Sequence, residues 1–214
     1  MPEWALLAGL SPEEREQVLR AGRRRRFAAG EIVFHEGDAA ETLHLLISGR
    51  VAVRVTTPNG DQAVLTIHRP GQAFGELALL GEEKHRTATV SALEACETLS
   101  LTRGQFDRLR ARNPSVDKVL LAALSAQVAR LSEHLLEVLF IPARGRILRR
   151  LLTLTEESDD GVVRLTQEDI ALMVGTTRST VNEVLREAER AGAVRIGRKR
   201  IEVVDRPYLL RRSR

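Results

Sequence analysis

The sequence predicts an α+β chain in three parts: an N-terminal antiparallel β-roll of jelly-roll type, one long helix, and a C-terminal pair of crossing helices with a two-stranded wing. Three features carry this expectation. Residues 23–107 alternate short apolar runs with glycines, the rhythm of strands and tight turns. From Pro114 the apolar spacing switches to steps of three and four, which belongs to a helix. Past Pro142 two amphipathic stretches meet at Gly175, and an alternating pattern with a basic turn follows them. The expected parts are 1–112, 113–140 and 141–214.

Ser11-Pro12-Glu13-Glu14 opens a first helix, with an N-cap serine and proline in the first turn. Arg23 to Arg26 reads as the solvated surface where the chain enters its first strand. Strands are expected at Glu31–Phe34, Leu43–Ile47, Val51–Val55, Ala63–Ile67 and Glu97–Leu101, with a hairpin turn at Pro58-Asn59-Gly60-Asp61. In the long helix Leu121, Leu124, Val128, Leu131, Leu135 and Val138 repeat at 3, 4, 3, 4, 3, the seam of a coiled coil. Gln127, Arg130, Glu133, His134 and Glu137 keep its other faces polar; such a stripe could lie against the β-roll, but six seam positions without a following antiparallel partner favour a parallel homodimer. Pro142 marks the hinge, because proline disfavours the helical region for the residue before it.

Arg144–Leu154 is an amphipathic helix. Thr166 with Asp169 forms a capping-box-like start for the next, Gly175 supplies a sharp turn, and a further helix runs from about Thr177 to Ala191. Val194–Ile196 and Ile201–Val204 flank Gly197-Arg198-Lys199-Arg200 as a basic wing.

Charge is unevenly divided. Residues 141–214 carry 16 Lys and Arg against 11 Asp and Glu, a net of +5, whereas residues 1–140 carry 17 against 18. A basic C-terminal third on a near-neutral remainder points to a polyanion partner. The single cysteine, Cys96, excludes an internal disulfide and a thiolate cluster. No signal-peptide core is apparent and no run approaches the roughly 20 apolar residues of a membrane span, so a cytoplasmic protein with no membrane partner is expected.

Residues 74–88 gather what a sugar-phosphate anion needs. Gly75 lets the backbone approach, so amides ahead of a short helical turn can face an anion. Glu76 is an acceptor-only carboxylate suited to a sugar hydroxyl. Arg86 offers a planar fork for phosphate, and Thr87 adds a hydroxyl. The plainer alternative is a Glu76–Arg86 ion pair bracing a turn.

The C-terminal helix pair carries a different chemistry. Thr177, Arg178, Ser179, Thr180, Asn182 and Glu183 open the second helix, the end that enters a major groove. Thr176 and Thr177 can hold phosphates with hydroxyls and helix-start amides, Arg198, Lys199 and Arg200 would lie on the flanking backbone, and Thr166 and Gln167 are further candidate DNA contacts.

With these motifs in place, nearly the whole chain resembles the cyclic-AMP receptor protein/FNR superfamily of transcriptional regulators. The match runs through Gly30, Phe34 with Gly37-Asp38, Ser48-Gly49, the 74–88 cassette, Leu124-Ser125-Ala126-Gln127, Gly145-Arg146 and Val174-Gly175-Thr176-Thr177-Arg178. The resemblance implies a cyclic-nucleotide-binding β-roll, a dimerisation helix and a winged helix-turn-helix. It implies an effector, cyclic AMP first, bound by Phe74, Gly75, Glu76, Leu77, Ala78, Arg86, Thr87 and Ala88, with Leu131 and Ser132 reaching it from the long helix. It further implies a pseudo-palindromic operator and contact with RNA polymerase.

Two departures shape the reading. Cyclic-AMP receptors carry Thr-Ser where this chain has Leu131-Ser132, which removes one hydrogen bond to the purine edge. A regulator answering to cyclic GMP or another small anion, or binding DNA without a nucleotide, is therefore the alternative. In the recognition helix Arg178 matches the guanine-reading arginine, but Ser179 replaces a glutamate and Glu183 an arginine, so the family's operator core does not carry over. The FNR branch needs cysteines that this chain lacks. His35, His44, His68, His85 and His134 are scattered, which argues for ordinary surface or strand histidines rather than haem or metal ligands. With no clustered metal ligands and no nucleophilic triad, neither an enzyme nor a cofactor is expected.

Overall fold

The computed structural model describes residues 2–76, 85–158 and 160–213. The chain divides into two compact units, 1–127 and 128–214, and the division falls within the long helix.

The first unit opens with helix α1 (Pro12–Ala21), where Ser11 and Glu14 close a reciprocal capping box. Eight strands follow: β1 (Arg23–Phe27), β2 (Ile32–Phe34), β3 (Thr42–Ser48), β4 (Val51–Thr56), β5 (Gln62–His68), β6 (Ala73–Phe74), β7 (Thr89–Ala92) and β8 (Cys96–Thr102). They form two antiparallel sheets in the orders β1-β8-β3-β6 and β2-β7-β4-β5. The expected hairpin joins β4 to β5, with Gly60 at φ 89 and Thr57 N–H donating to the Asp61 carbonyl at 2.8 Å. Arg23 to Arg26 form β1 itself, exposed at a sheet edge, and β6 and β7 are strands that the alternation does not reveal.

Successive side chains of β3 and β8 point to opposite faces, and both faces are covered, so each strand has a run of four buried residues. Leu43, Leu45, Leu99 and Leu101 face a core built with Trp4, Leu7 and Phe106. Leu46 and Cys96 face the other core, between the sheets, with Phe27, Val51, Phe74 and Val90. Helix α2 (Arg103–Arg112) starts from Thr102, whose capping box uses Gln105. Burial first, then Glu31 and Glu94, pushes the Cys96 thiol up to about 11, so it behaves as an inert core residue.

Helix α3 spans Ser115–Phe140. Only its first turns are buried, at Val116 and Leu120, while Leu121, Val128, Leu131, Leu135 and Val138 are exposed on the single chain, Val128 by 63%. Leu124 is half-buried. One expectation is corrected here: by length and composition alone this helix is long and apolar enough to cross a membrane. Its leucine and valine content is that of a coiled-coil seam flanked by further exposed apolar residues (Leu136, Leu139 and Phe140), which composition alone does not separate from a span.

The second unit continues with α4 (Ala143–Glu156), β9 (Val162–Val163), α5 (Gln167–Val174), α6 (Arg178–Arg190), β10 (Val194–Gly197), β11 (Arg200–Val203) and α7 (Arg206–Arg212). Ile147, Leu151, Ile170, Val181 and Leu185 are wholly buried between the helices. The wing is a three-stranded sheet, β10-β11-β9, rather than the expected two-stranded hairpin. The two-residue run Val162-Val163 is too short for alternation to show.

Candidate functional site

Two sites can be built from the residues upward, one in each unit. In the first, antiparallel pairing sets His44 opposite Phe74, so the chain leaving β6 at Gly75 passes the start of β3. Gly75 has φ 83, and a Cβ there would lie 2.8 Å from Arg86 Nη1 and 3.2 Å from the Thr42 carbonyl. Only glycine fits on both counts. Arg86 is anchored from the other side: its N–H donates to the Asp38 carbonyl at 2.8 Å and its carbonyl accepts from Gly37 N–H at 2.9 Å.

The Arg86 side chain is buried, with 4% of its surface exposed. Its guanidinium lies over the Phe34 ring at 4.0 Å, donates from Nη1 to the Gly75 carbonyl at 3.1 Å, and donates from Nη2 to Thr42 Oγ1 at 2.9 Å. Among the described residues its Nε is buried without a hydrogen-bond partner, and so is Glu76 Oε2. Burial lowers the Arg86 pKa from the ordinary guanidinium value, opposed chiefly by the charge of Asp38. Burial raises the Glu76 carboxyl above the ordinary carboxylate range, opposed by its own backbone hydrogen bond and by Arg86. Among the described residues no Glu76–Arg86 ion pair is formed within 4.0 Å, and each group keeps one unpaired polar atom.

Phe74, Gly75, Glu76 and Arg86 are thus brought together, with Ala88 buried and Thr87 exposed beside Arg86. Leu77 and Ala78 lie outside the described residues. Leu131 and Ser132 are exposed on α3, where Ser132 Oγ donates back to the Val128 carbonyl at 3.0 Å. Sequence reasoning missed Thr42 as a partner of Arg86 and used Phe34 only as a point of resemblance. A strand-pairing register is what unites them with the cassette, and no local pattern announces it.

The second site is an open groove of about 760 Å³ between the wing and the helix pair, with Thr166, Gln167, Arg178, Ser179, Asn182 and Lys199 on its walls. Thr166 caps α5 through a box with Asp169, and Gly175 ends that helix in the left-handed conformation at φ 66, ψ 54. Thr177 then caps α6, accepting from Thr180 N–H at 3.2 Å. These caps leave Arg178, Ser179, Asn182 and Glu183 exposed on the first turns, with Thr176 and Thr180 half-buried. Arg198 and Lys199 are exposed at the wing tip, where Lys199 takes φ 51, uncommon for a side chain bearing a Cβ. Arg200 lies 3.7 Å from Glu202.

Beneath this surface Arg146, which the sequence shows only as part of the Gly145-Arg146 motif, is buried. Its Nε donates to the Val174 carbonyl at 2.9 Å, Nη2 to Gly175 at 3.1 Å and Nη1 to Ile141 at 2.7 Å. One side chain therefore satisfies the carbonyl ends of both α3 and α5.

Comparison with known proteins gives a family for each part of the chain. Residues 24–113 match the cyclic nucleotide-binding domain family, and residues 145–212 match the Crp-like helix-turn-helix domain. The chain is 33% identical to a cyclic AMP receptor protein of Thermus thermophilus, over 95% of this chain and 94% of that protein. It is also 33% identical to a cAMP-activated global transcriptional regulator of Escherichia coli, over 77% and 81%. Among solved structures, the c-di-GMP-responsive global regulator of Xanthomonas campestris shares the fold at TM-score 0.80 and 23% identity, covering 91% of this chain and all of that one. This chain is a member of the CRP/FNR family of transcriptional regulators, with a cyclic-nucleotide-binding domain ahead of a Crp-like helix-turn-helix, and it is not an enzyme.

Proposed function

We propose that the protein is a cytoplasmic, homodimeric regulator whose affinity for DNA is set by a cyclic nucleotide in the β-roll, cyclic AMP first, and that residues 1–112, 113–140 and 141–214 are its sensor, dimerisation helix and reader. The observation that supports it best is the pair of orphaned atoms at one site. Glu76 Oε2 is an acceptor and Arg86 Nε a donor, both buried and unpaired among the described residues. Such atoms are costly unless something arrives to satisfy them. A ribose hydroxyl suits the first and a cyclic phosphate the second, with Phe74, Gly75, Leu77, Ala78, Thr87 and Ala88 completing the pocket.

The exposed stripe Leu121, Val128, Leu131, Leu135 and Val138 supports a dimer through α3. In that dimer Leu131 and Ser132 would reach the nucleotide, and the recognition helices would read half-sites one DNA turn apart. Arg178 would read a base. Thr166, Gln167, Thr176, Thr177 and the wing residues Arg198, Lys199 and Arg200 would hold phosphates, and Ser179, Thr180, Asn182 and Glu183 would set the remaining specificity. RNA polymerase is the expected further partner. Effector control then follows if the nucleotide prefers the DNA-competent arrangement, by roughly 1–3 kcal/mol of coupling.

A second reading rests on Leu131, which cannot hydrogen-bond a purine edge. It keeps DNA binding but gives the pocket another small anion, cyclic GMP included, or none. Calorimetry with cyclic AMP, cyclic GMP and c-di-GMP, followed by operator selection from random DNA with and without each, separates the two. Equal operator binding under every condition would overturn nucleotide control.

A further inference from the structure

Behind Arg86 lies a buried polar chain that the family resemblance did not supply. Thr42 Oγ1, which accepts from Arg86 Nη2, lies 3.1 Å from His44 Nε2, and His44 Nδ1 lies 3.1 Å from Thr98 Oγ1. Thr98 is wholly buried and His44 is 4% exposed. His44 is also fixed by stacking: the Phe74 ring lies parallel to it at 5.1 Å, and Phe27 meets its edge at 6.5 Å.

The first link has a fixed direction: a guanidinium can only donate, so Thr42 Oγ1 accepts from it. Thr42 Oγ1 keeps its own proton and a second lone pair for His44 Nε2, so the ring tautomer sets which atom donates there and at Thr98. Burial, and then the Arg86 and Arg25 charges, hold the His44 pKa down to about 3, so the imidazole is neutral. Two protein acceptors, the Gly75 carbonyl and Thr42 Oγ1, thus take one N–H from each terminal nitrogen of Arg86. Nε–H is left over, together with the second hydrogen on each terminal nitrogen.

We infer that Thr42 and His44 are positioning residues that aim the free edge of Arg86 at one exocyclic oxygen of the bound phosphate. Neither needs to touch the ligand. Thr42 fixes the rotation of the guanidinium over Phe34, and His44 fixes the hydroxyl of Thr42. This rests on the reading of the pocket as a cyclic-phosphate site.

The test uses the full-length protein with cyclic AMP, cyclic GMP and the Rp and Sp phosphorothioates of each, in which sulfur replaces one or the other exocyclic oxygen. An aimed arginine makes the Rp and Sp affinities unequal in the wild type. Thr42→Val, which keeps the shape and loses the hydroxyl, should weaken the cyclic nucleotide about 10-fold or more and draw the Rp/Sp ratio toward one. Thr42→Ser should restore both. His44→Phe, which keeps the ring stack, should move the ratio the same way by less. If that variant does not fold, the Val/Ser pair at Thr42 decides alone. An unchanged ratio, with Rp and Sp weakened in parallel and the melting temperature lowered, would make the chain merely structural and overturn the inference. So would equal Rp and Sp affinities in the wild type. Absence of any nucleotide binding by the wild type would overturn the pocket reading, and this inference with it.

Discussion

Arg86 and Arg146 are two buried arginines, 4% and 8% exposed, and they are satisfied in opposite ways. Every nitrogen of Arg146 donates to a main-chain carbonyl, at Ile141, Val174 and Gly175. Arg86 donates from both terminal nitrogens and leaves Nε with nothing among the described residues. A buried guanidinium with all its nitrogens paired is a strut, because its desolvation is met by the fold itself. One with a spare edge beside an unpaired carboxylate oxygen is a site, because the fold leaves its desolvation unmet until a ligand binds.

The contrast breaks most visibly if each arginine is removed in turn. Arg86→Ala should weaken the cyclic nucleotide by about 100-fold or more and abolish nucleotide-dependent operator binding, measured by calorimetry and by DNA anisotropy. The change in stability should be small. Arg146→Ala should do the reverse. It orphans carbonyls at the ends of α3 and α5, so residues 128–214 should lose about 3 kcal/mol, seen in urea unfolding, with nucleotide affinity unchanged. If Arg146→Ala left stability intact and Arg86→Ala cost several kcal/mol, the strut and the site would have been assigned the wrong way round.

Within the reader the same distinction appears between side chains that read and side chains that hold. Arg178→Ala should cost about 1–3 kcal/mol at one base pair and relax the sequence preference there. Lys199→Ala should weaken all DNA alike and flatten the salt dependence of binding by about one unit of slope. Operator selection at two salt concentrations checks both. An unchanged preference in Arg178→Ala would move the reading residue elsewhere on α6.

How far each region can be read in sequence follows from the range of its contacts. The reader is built from near neighbours: Thr166 with Asp169, Gly175 in its left-handed turn, Thr177 with Thr180. Caps and turns within four residues leave their mark on local sequence, and α5, α6 and the β10–β11 hairpin of the wing lie where that mark predicts, whereas its third strand, β9, does not show. The pocket is half legible. Gly75, Glu76 and Arg86 lie close in sequence and share a recognisable order, but Thr42, His44 and Thr98 come from two strands whose register no local pattern states. His44 shows the difficulty well: as one of five scattered histidines it passes for ordinary, and only the pairing of β3 with β6 and β8 puts it against the hydroxyl that Arg86 donates to. Strands β6, β7 and β9, and the helix Arg206–Arg212, were missed for a related reason. The strands have two to four residues and the helix seven, which is too little for a period to emerge.

Glu76 offers the subtlest way to sharpen the comparison, because it is a cost that the strut does not carry. Burial raises its carboxyl above the ordinary value, so in the ligand-free protein the carboxylate opposes folding. The sign follows directly. A carboxyl raised on folding adds stability that is complete below the unfolded value of about 4.3 and is lost as pH climbs through the raised one. Glu76→Gln removes the charge and keeps the shape, so at neutral pH the ligand-free variant should be more stable by about 1 kcal/mol, or about 2–4 °C in melting temperature. That gap should close as pH falls into the carboxylate range. Nucleotide binding should show the opposite dependence, since a ribose hydroxyl donates best to the ionised form: wild-type affinity rises with pH across the same window, and the variant binds more weakly with a flat profile. Differential scanning fluorimetry and calorimetry between pH 4 and 8 read both curves. A variant that is less stable at neutral pH would mean that Glu76 is paired in the ligand-free state, and the contrast with the strut would fail on the carboxylate side.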